Sequence, residues 1–187
     1  MLCVICRFIL GHQGQPFDIR CPWVMFCMRK MSWSTYAPWI LLTEAVGALS
    51  GWLTREGTRL YNADTSIRQP PLSPPGFLFP IVWVILFALM GIGAARIYEA
   101  PSSGARSRSL VIFFFQLAFN FFWSILFFNL QAFGAALIWL LILWVLILSM
   151  IVSFWQTDRI AALLQIPYLL WVTFAAYLNF GIWSLNR

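Results

Sequence analysis

The chain has 187 residues, a formal net charge of +6, 61% hydrophobic residues and only 10% charged ones. That balance leaves too little polar surface for a water-soluble globule and points to an integral membrane protein. The basic excess sits in loops and tails, where bilayer flanks expect Lys and Arg, so it implies a lipid bilayer as partner and no nucleic acid.

Residues 1–31 read as an N-terminal extension, disordered or lying ahead of the true start at Met31, and residues 32–187 as the membrane domain. All four cysteines (Cys3, Cys6, Cys21, Cys27) and the one histidine, His12, fall in the extension. Cys3-x-x-Cys6 has no second pair at zinc-site spacing, so no metal site is expected. The apolar stretch from Leu2 to Leu10 is broken by Arg7 and lacks a small-residue cleavage site, unlike a signal peptide.

Five apolar runs of spanning length follow, at residues 36–53, 78–97, 109–129, 133–155 and 160–183, and they predict an all-α bundle of five transmembrane helices. Their continuity differs from the alternating segments of a membrane β-barrel. The first run holds Glu44, the one ionisable group inside a span, and a Gly47-x-x-x-Gly51 pair suited to close helix packing. A long loop is expected at residues 54–77. Its "QPPLSPPGFLFP" stretch is rich in proline, which fixes φ and forces the preceding residue into extended conformations. The loop is therefore stiff, and the second helix can start between Gly76 and Pro80 because proline is tolerated in a first turn.

In the third run Gln116, Asn120 and Trp123 recur at i, i+4 and i+7 and share one face. Carboxamides facing lipid would lack partners, so this face should point into the bundle, as packing glue or as a polar spot in a ligand cavity. Short turns at "NLQA" and "QTDR" make neighbouring helices antiparallel. In the fifth run Pro167 predicts a kink, and Trp171, Ala175, Leu178 and Asn179 share a face on which Ala175 leaves room. Trp33, Trp39 and Trp183 fall near span ends, as interfacial anchors do. Trp83, Trp123, Trp139, Trp144 and Trp171 lie deeper, where an indole N–H needs a partner or a polar cavity. No nucleophile, base and orienting group can be assembled in the spans, which disfavours a hydrolase.

The proline loop "PPLSPPGFLFPIVW", then "QLAFNFFWSILFF", then "PYLLWVTFAAYLNFGIW", in this order on five spans, resemble the TspO/translocator protein family. These are the tryptophan-rich sensory proteins that include the peripheral benzodiazepine receptor. The likeness covers residues 44–187. It implies a five-helix bundle, usually a homodimer, in a prokaryotic cell membrane, with a pocket for porphyrins and related apolar aromatic ligands and no obligatory cofactor. By matching position the ligand-binding residues are Trp83, Asn120, Trp123, Trp171, Ala175 and Leu178. Phe77 and Pro80 come from a lid formed by the proline loop, and Gln116 joins them through its shared face. The family also implies two other activities: light- and oxygen-dependent porphyrin degradation, with Trp123, Trp139 and Trp171 as redox candidates, and porphyrin or sterol transport. The family's proposed cholesterol motif is absent, since Phe180 follows Asn179 and Arg187 is too far from Tyr177. The lid carries Leu72 and Gly76 where many members have a Trp and a polar residue.

Overall fold

The structure, a computed structural model, describes residues 32–187. The readings of residues 1–31, the Cys3-x-x-Cys6 pair among them, lie outside the described residues. The chain forms α1 (Trp33–Ala63), α2 (Leu78–Tyr98), α3 (Gly104–Ser124) extended by a π-helical turn (Ile125–Asn129), α4 (Phe133–Trp155), a short α5 (Arg159–Leu163) and α6 (Ile166–Leu185). Among the described residues, four segments are long and apolar enough to cross a membrane: Leu78–Tyr98, Gly104–Asn129, Phe133–Trp155 and Arg159–Leu185. The protein is an all-α, multi-pass integral membrane protein.

Three boundaries differ from those read in the sequence. The first helix does not stop at Leu53 but runs on to Ala63, so the loop shrinks to residues 64–77. Apolarity marks where a helix leaves a bilayer, whereas the helix itself ends where its backbone pairing does. The added turns are held by the Glu56–Arg59 pair at 3.0 Å and by close packing of Gly57 on the Phe128 backbone. Tyr61 seals them against Phe127 at 5.5 Å and Phe128 at 5.7 Å between ring centroids. The helix ends where the Ser66 N–H and hydroxyl both donate to Asp64, at 2.8 and 2.6 Å, an arrangement that holds this exposed carboxyl below its ordinary range.

The second difference is that α3 starts at Gly104, where the Ser103 hydroxyl accepts from the Arg106 N–H at 3.2 Å. The third is at Pro167, where the expected kink takes the form of an interruption in helical pairing over Leu164 and Gln165. Proline has no N–H to continue the ladder, so α5 ends at Leu163 and α6 restarts with Pro167 in its first turn.

Small residues set the spacing between helices. A Cβ on Gly91 would lie 2.6 Å from the Ile40 Cα, and one on Gly47 would collide with the Phe87 ring. α1 and α2 therefore touch closely at this end, where the Thr43 hydroxyl also donates to the Phe87 carbonyl at 2.8 Å. Gly51, the other half of the glycine pair, has no side-chain neighbour and faces open space. α3 and α4 are joined by the Ser109–Ser153 hydroxyl pair at 2.8 Å and by the Trp139 N–H donating to the Phe119 carbonyl at 2.8 Å. Trp144 ties α4 to α6 by donating to the Thr173 hydroxyl at 2.8 Å.

At the end where α2 meets α5, Arg96 grips Asp158 with two nitrogens, at 3.2 and 2.8 Å, with Asp158 buried and Arg96 largely so. Asp158 also accepts from the Ala161 N–H at 2.9 Å and so caps α5. Removing one partner of a buried pair strands the other charge, so Asp158→Asn should destabilise the fold by about 3 to 5 kcal/mol. Glu56→Gln breaks only an exposed pair and should cost about 0.5 kcal/mol or less. Thermal melts of both variants in detergent check the contrast. Equal melting temperatures would show that the buried pair carries no such role.

Candidate functional site

α2 and α6 are bridged by rings rather than by close backbone approach: Trp83 meets Tyr168 at 6.1 Å and Phe79 meets Trp171 at 5.7 Å between ring centroids. The room left among α1, α2, α3 with its π turn, α6 and the proline loop is a cavity of about 700 Å³. That is within the range of roughly 300 to 1,000 Å³ usual for small-molecule sites.

The wall from α1 is a single helical face. Glu44, Gly47, Ala48, Gly51, Thr54, Arg55 and Thr58 recur at three- and four-residue steps and line the space. Small side chains here leave volume that leucines would fill. The facing wall is aromatic: Trp83 lies 5.4 Å from Phe87, and Trp123 lies 5.3 Å from Phe127, between ring centroids. The π turn after Trp123 shifts the register so that Phe127 and Phe128 both reach the cavity, a common use of such turns. Ala175 and Leu178 complete the wall from α6.

One end of the cavity rests on a buried polar chain. The Asn120 amide donates to the Tyr168 hydroxyl at 2.8 Å, the hydroxyl donates to the Gln116 oxygen at 3.0 Å, and the Gln116 amide faces the Met90 sulfur at 3.8 Å. Asn179, with its amide oriented to satisfy both ends, donates to the Phe133 carbonyl at 2.9 Å and accepts from the Leu137 N–H at 3.2 Å.

The other end is covered by the loop, which is pinned to α6 at three places. The Asn186 amide accepts from the Arg68 N–H at 2.8 Å and donates to the Arg68 carbonyl at 2.9 Å. The Tyr177 hydroxyl donates to the Pro71 carbonyl at 3.0 Å, and the Pro70 ring packs onto Gly181, where any side chain would collide with it. Leu72 takes a positive φ of 67°, and the Ser73 hydroxyl closes the turn onto the Pro70 carbonyl at 2.9 Å. Gln69, Ser73, Pro74 and Gly76 then face the cavity.

Of the residues singled out in the sequence, Pro80, Trp83, Asn120, Trp123, Ala175 and Leu178 line this space together. Phe77, Gln116 and Trp171 do not. Phe77 is 68% exposed, just ahead of α2. Gln116 is fully buried behind Asn120 and Tyr168. Trp171 packs on Phe79, and its buried N–H has no partner in the structure. A helical side chain leans toward the N-terminus of its own helix, so Gln116 and Trp171, each one turn N-terminal of a lining residue, point past the cavity's end. Trp139 also stands outside it, stacked on Phe119 at 4.3 Å. Glu44, singled out as the ionisable group inside a span, lines the cavity too, whereas the rest of the α1 face and Tyr168 were missed in the sequence. The small and polar residues spaced through "EAVGALSGWLTREGT" were the available signal.

The match to known proteins covers nearly all of this architecture. The model of the TspO/MBR family fits residues 39–184. The chain belongs to the TspO/MBR family. It is 37% identical to the tryptophan-rich protein TspO of Chlorobaculum tepidum, over 81% of this chain and 96% of the relative. It is 36% identical to protein CrtK of Rhodobacter capsulatus, over 65% of this chain and 76% of that protein. A similarity of 33% extends to the translocator protein of Bos taurus, covering 80% of this chain and 92% of the relative. The matched region contains every residue of the α1, α2, α3 and α6 cavity walls.

Tyr168→Phe tests the polar chain at the cavity's end. It keeps the ring but leaves the Asn120 amide nitrogen without its acceptor and the Gln116 oxygen without its donor, at a cost of about 1 to 3 kcal/mol. Thermal unfolding in detergent should register the loss, whereas an unchanged melting temperature would mean that the two amides re-pair without the hydroxyl.

Proposed function

We propose that the protein is a five-helix membrane receptor or sensor, with α1 as the fifth span, and that its cavity binds porphyrins and related apolar aromatic molecules. α1 has 31 residues, about 46 Å of helix, against a hydrocarbon core of about 30 Å. Its one charge up to Leu53 is Glu44, which faces the cavity rather than lipid.

The observation that carries the porphyrin reading is the pairing of a flat, small-residue face on α1 with indoles from α2 and α3 across about 700 Å³. A planar macrocycle fits such a slot. It stacks on Trp83 and Trp123, while Asn120 and the loop offer a few hydrogen bonds. Membership of the TspO/MBR family supports the same reading. A loop already fixed to α6 loses little freedom when it covers a ligand, which favours binding. Of the three redox candidates only Trp123 lines the cavity, so a bound macrocycle would meet one of them directly.

The test is a titration of the purified protein with protoporphyrin, first in the dark and then under illumination. A saturable shift of the Soret band that survives illumination supports a receptor. Bleaching with a new product makes degradation the function, and no shift overturns the porphyrin reading. Ala175→Leu should lower protoporphyrin affinity at least about tenfold while leaving the melting temperature unchanged or higher, because the longer side chain fills the cavity and adds apolar contact. Undiminished affinity in this variant would move the ligand elsewhere.

A further inference from the structure

Among the described residues, Glu44 and Arg55 are the only charged ones lining the cavity. They lie on the same face of α1, separated by about 16 Å of helix rise. Two other arginines have a carboxylate: Arg59 is paired with Glu56 at 3.0 Å and Arg96 with Asp158 at 2.8 Å. Arg55 has no carboxylate partner among the described residues. Its guanidinium lies 5.4 Å from the centre of the Trp52 ring, a contact that steadies a cation without neutralising it. Thr58, Asn62, Gln69 and Ser73 make the same end of the cavity polar. Glu44, at the far end, supplies an acid where a second cation would be needed to hold an anion.

We infer that Arg55 anchors a carboxylate of the bound ligand, so that the cavity selects flat apolar molecules bearing an acidic group at one edge and fixes which way round they lie. This rests on the tetrapyrrole reading and adds to it the residue that reads the ligand's charge. Guanidinium and carboxylate match in shape and form paired charge-assisted hydrogen bonds, stronger than neutral ones. With the carboxylate at Arg55, the macrocycle lies along Gly51, Ala48 and Gly47 and between the two indoles. The reverse orientation would set the anion against Glu44.

The test compares protoporphyrin with its dimethyl ester on the full chain in detergent, for the wild type, Arg55→Gln and Arg55→Lys. The wild type should bind the free acid about tenfold more tightly than the ester. In R55Q that preference should vanish through loss of acid binding, and R55K should restore part of it. Taking the acid-to-ester ratio within each variant cancels any general effect on folding or partition into detergent. An equal preference for the acid in wild type and R55Q, or no preference in the wild type, would overturn the assignment while leaving the tetrapyrrole reading intact. Failure of the wild type to bind either compound would overturn both.

Discussion

A chain in hydrocarbon has no water to satisfy its polar groups, and that constraint governs nearly every contact made here. Thr43 spends its hydroxyl on the Phe87 carbonyl, Ser109 meets Ser153, and Trp139 and Trp144 each donate across a helix interface. These bonds, with close glycine contacts, fix which helices are neighbours where apolar surface alone cannot, since lipid is as apolar as the helices. The Arg96–Asp158 pair follows the same logic, opposite charges meeting at 2.8 Å with little side-chain surface left exposed.

The cavity is the place where that closing-up is interrupted. α1 turns Gly51 and Ala48 toward the cavity instead of large side chains, while the loop crosses above and is clamped by Asn186, Tyr177 and Gly181. The proline content and the clamp act together. Proline narrows the conformations open to the loop before it docks, and the hydrogen bonds to α6 select one of them. A roof held from both directions fixes the height of the space beneath it.

Much of this was legible in the sequence because apolar run length, proline position and helical spacing report directly on backbone state. Spacing put Gln116, Asn120 and Trp123 on one face, the need of the two carboxamides for partners turned that face inward, and all three are buried. Spacing does not report depth along the axis. Gln116 and Trp171 share a face with lining residues yet sit one turn beyond the cavity, one behind Tyr168 and the other on Phe79. The true length of α1 was hidden because Arg55, Glu56 and Arg59 look like a loop when apolarity is the guide, although they are good helix formers. The α1 wall was overlooked for a related reason: glycine and alanine at helical spacing read as packing. Gly47 does pack, against Phe87, while Gly51 leaves space.

An experimental structure of the chain soaked with protoporphyrin is the most direct test that this space is a ligand site. The macrocycle should lie between the α1 glycine face and the rings of Trp83 and Trp123, beneath an unmoved proline loop. A macrocycle seated instead in the outward groove between α1 and α3, against Leu42, Val46 and Phe121, would contradict the account.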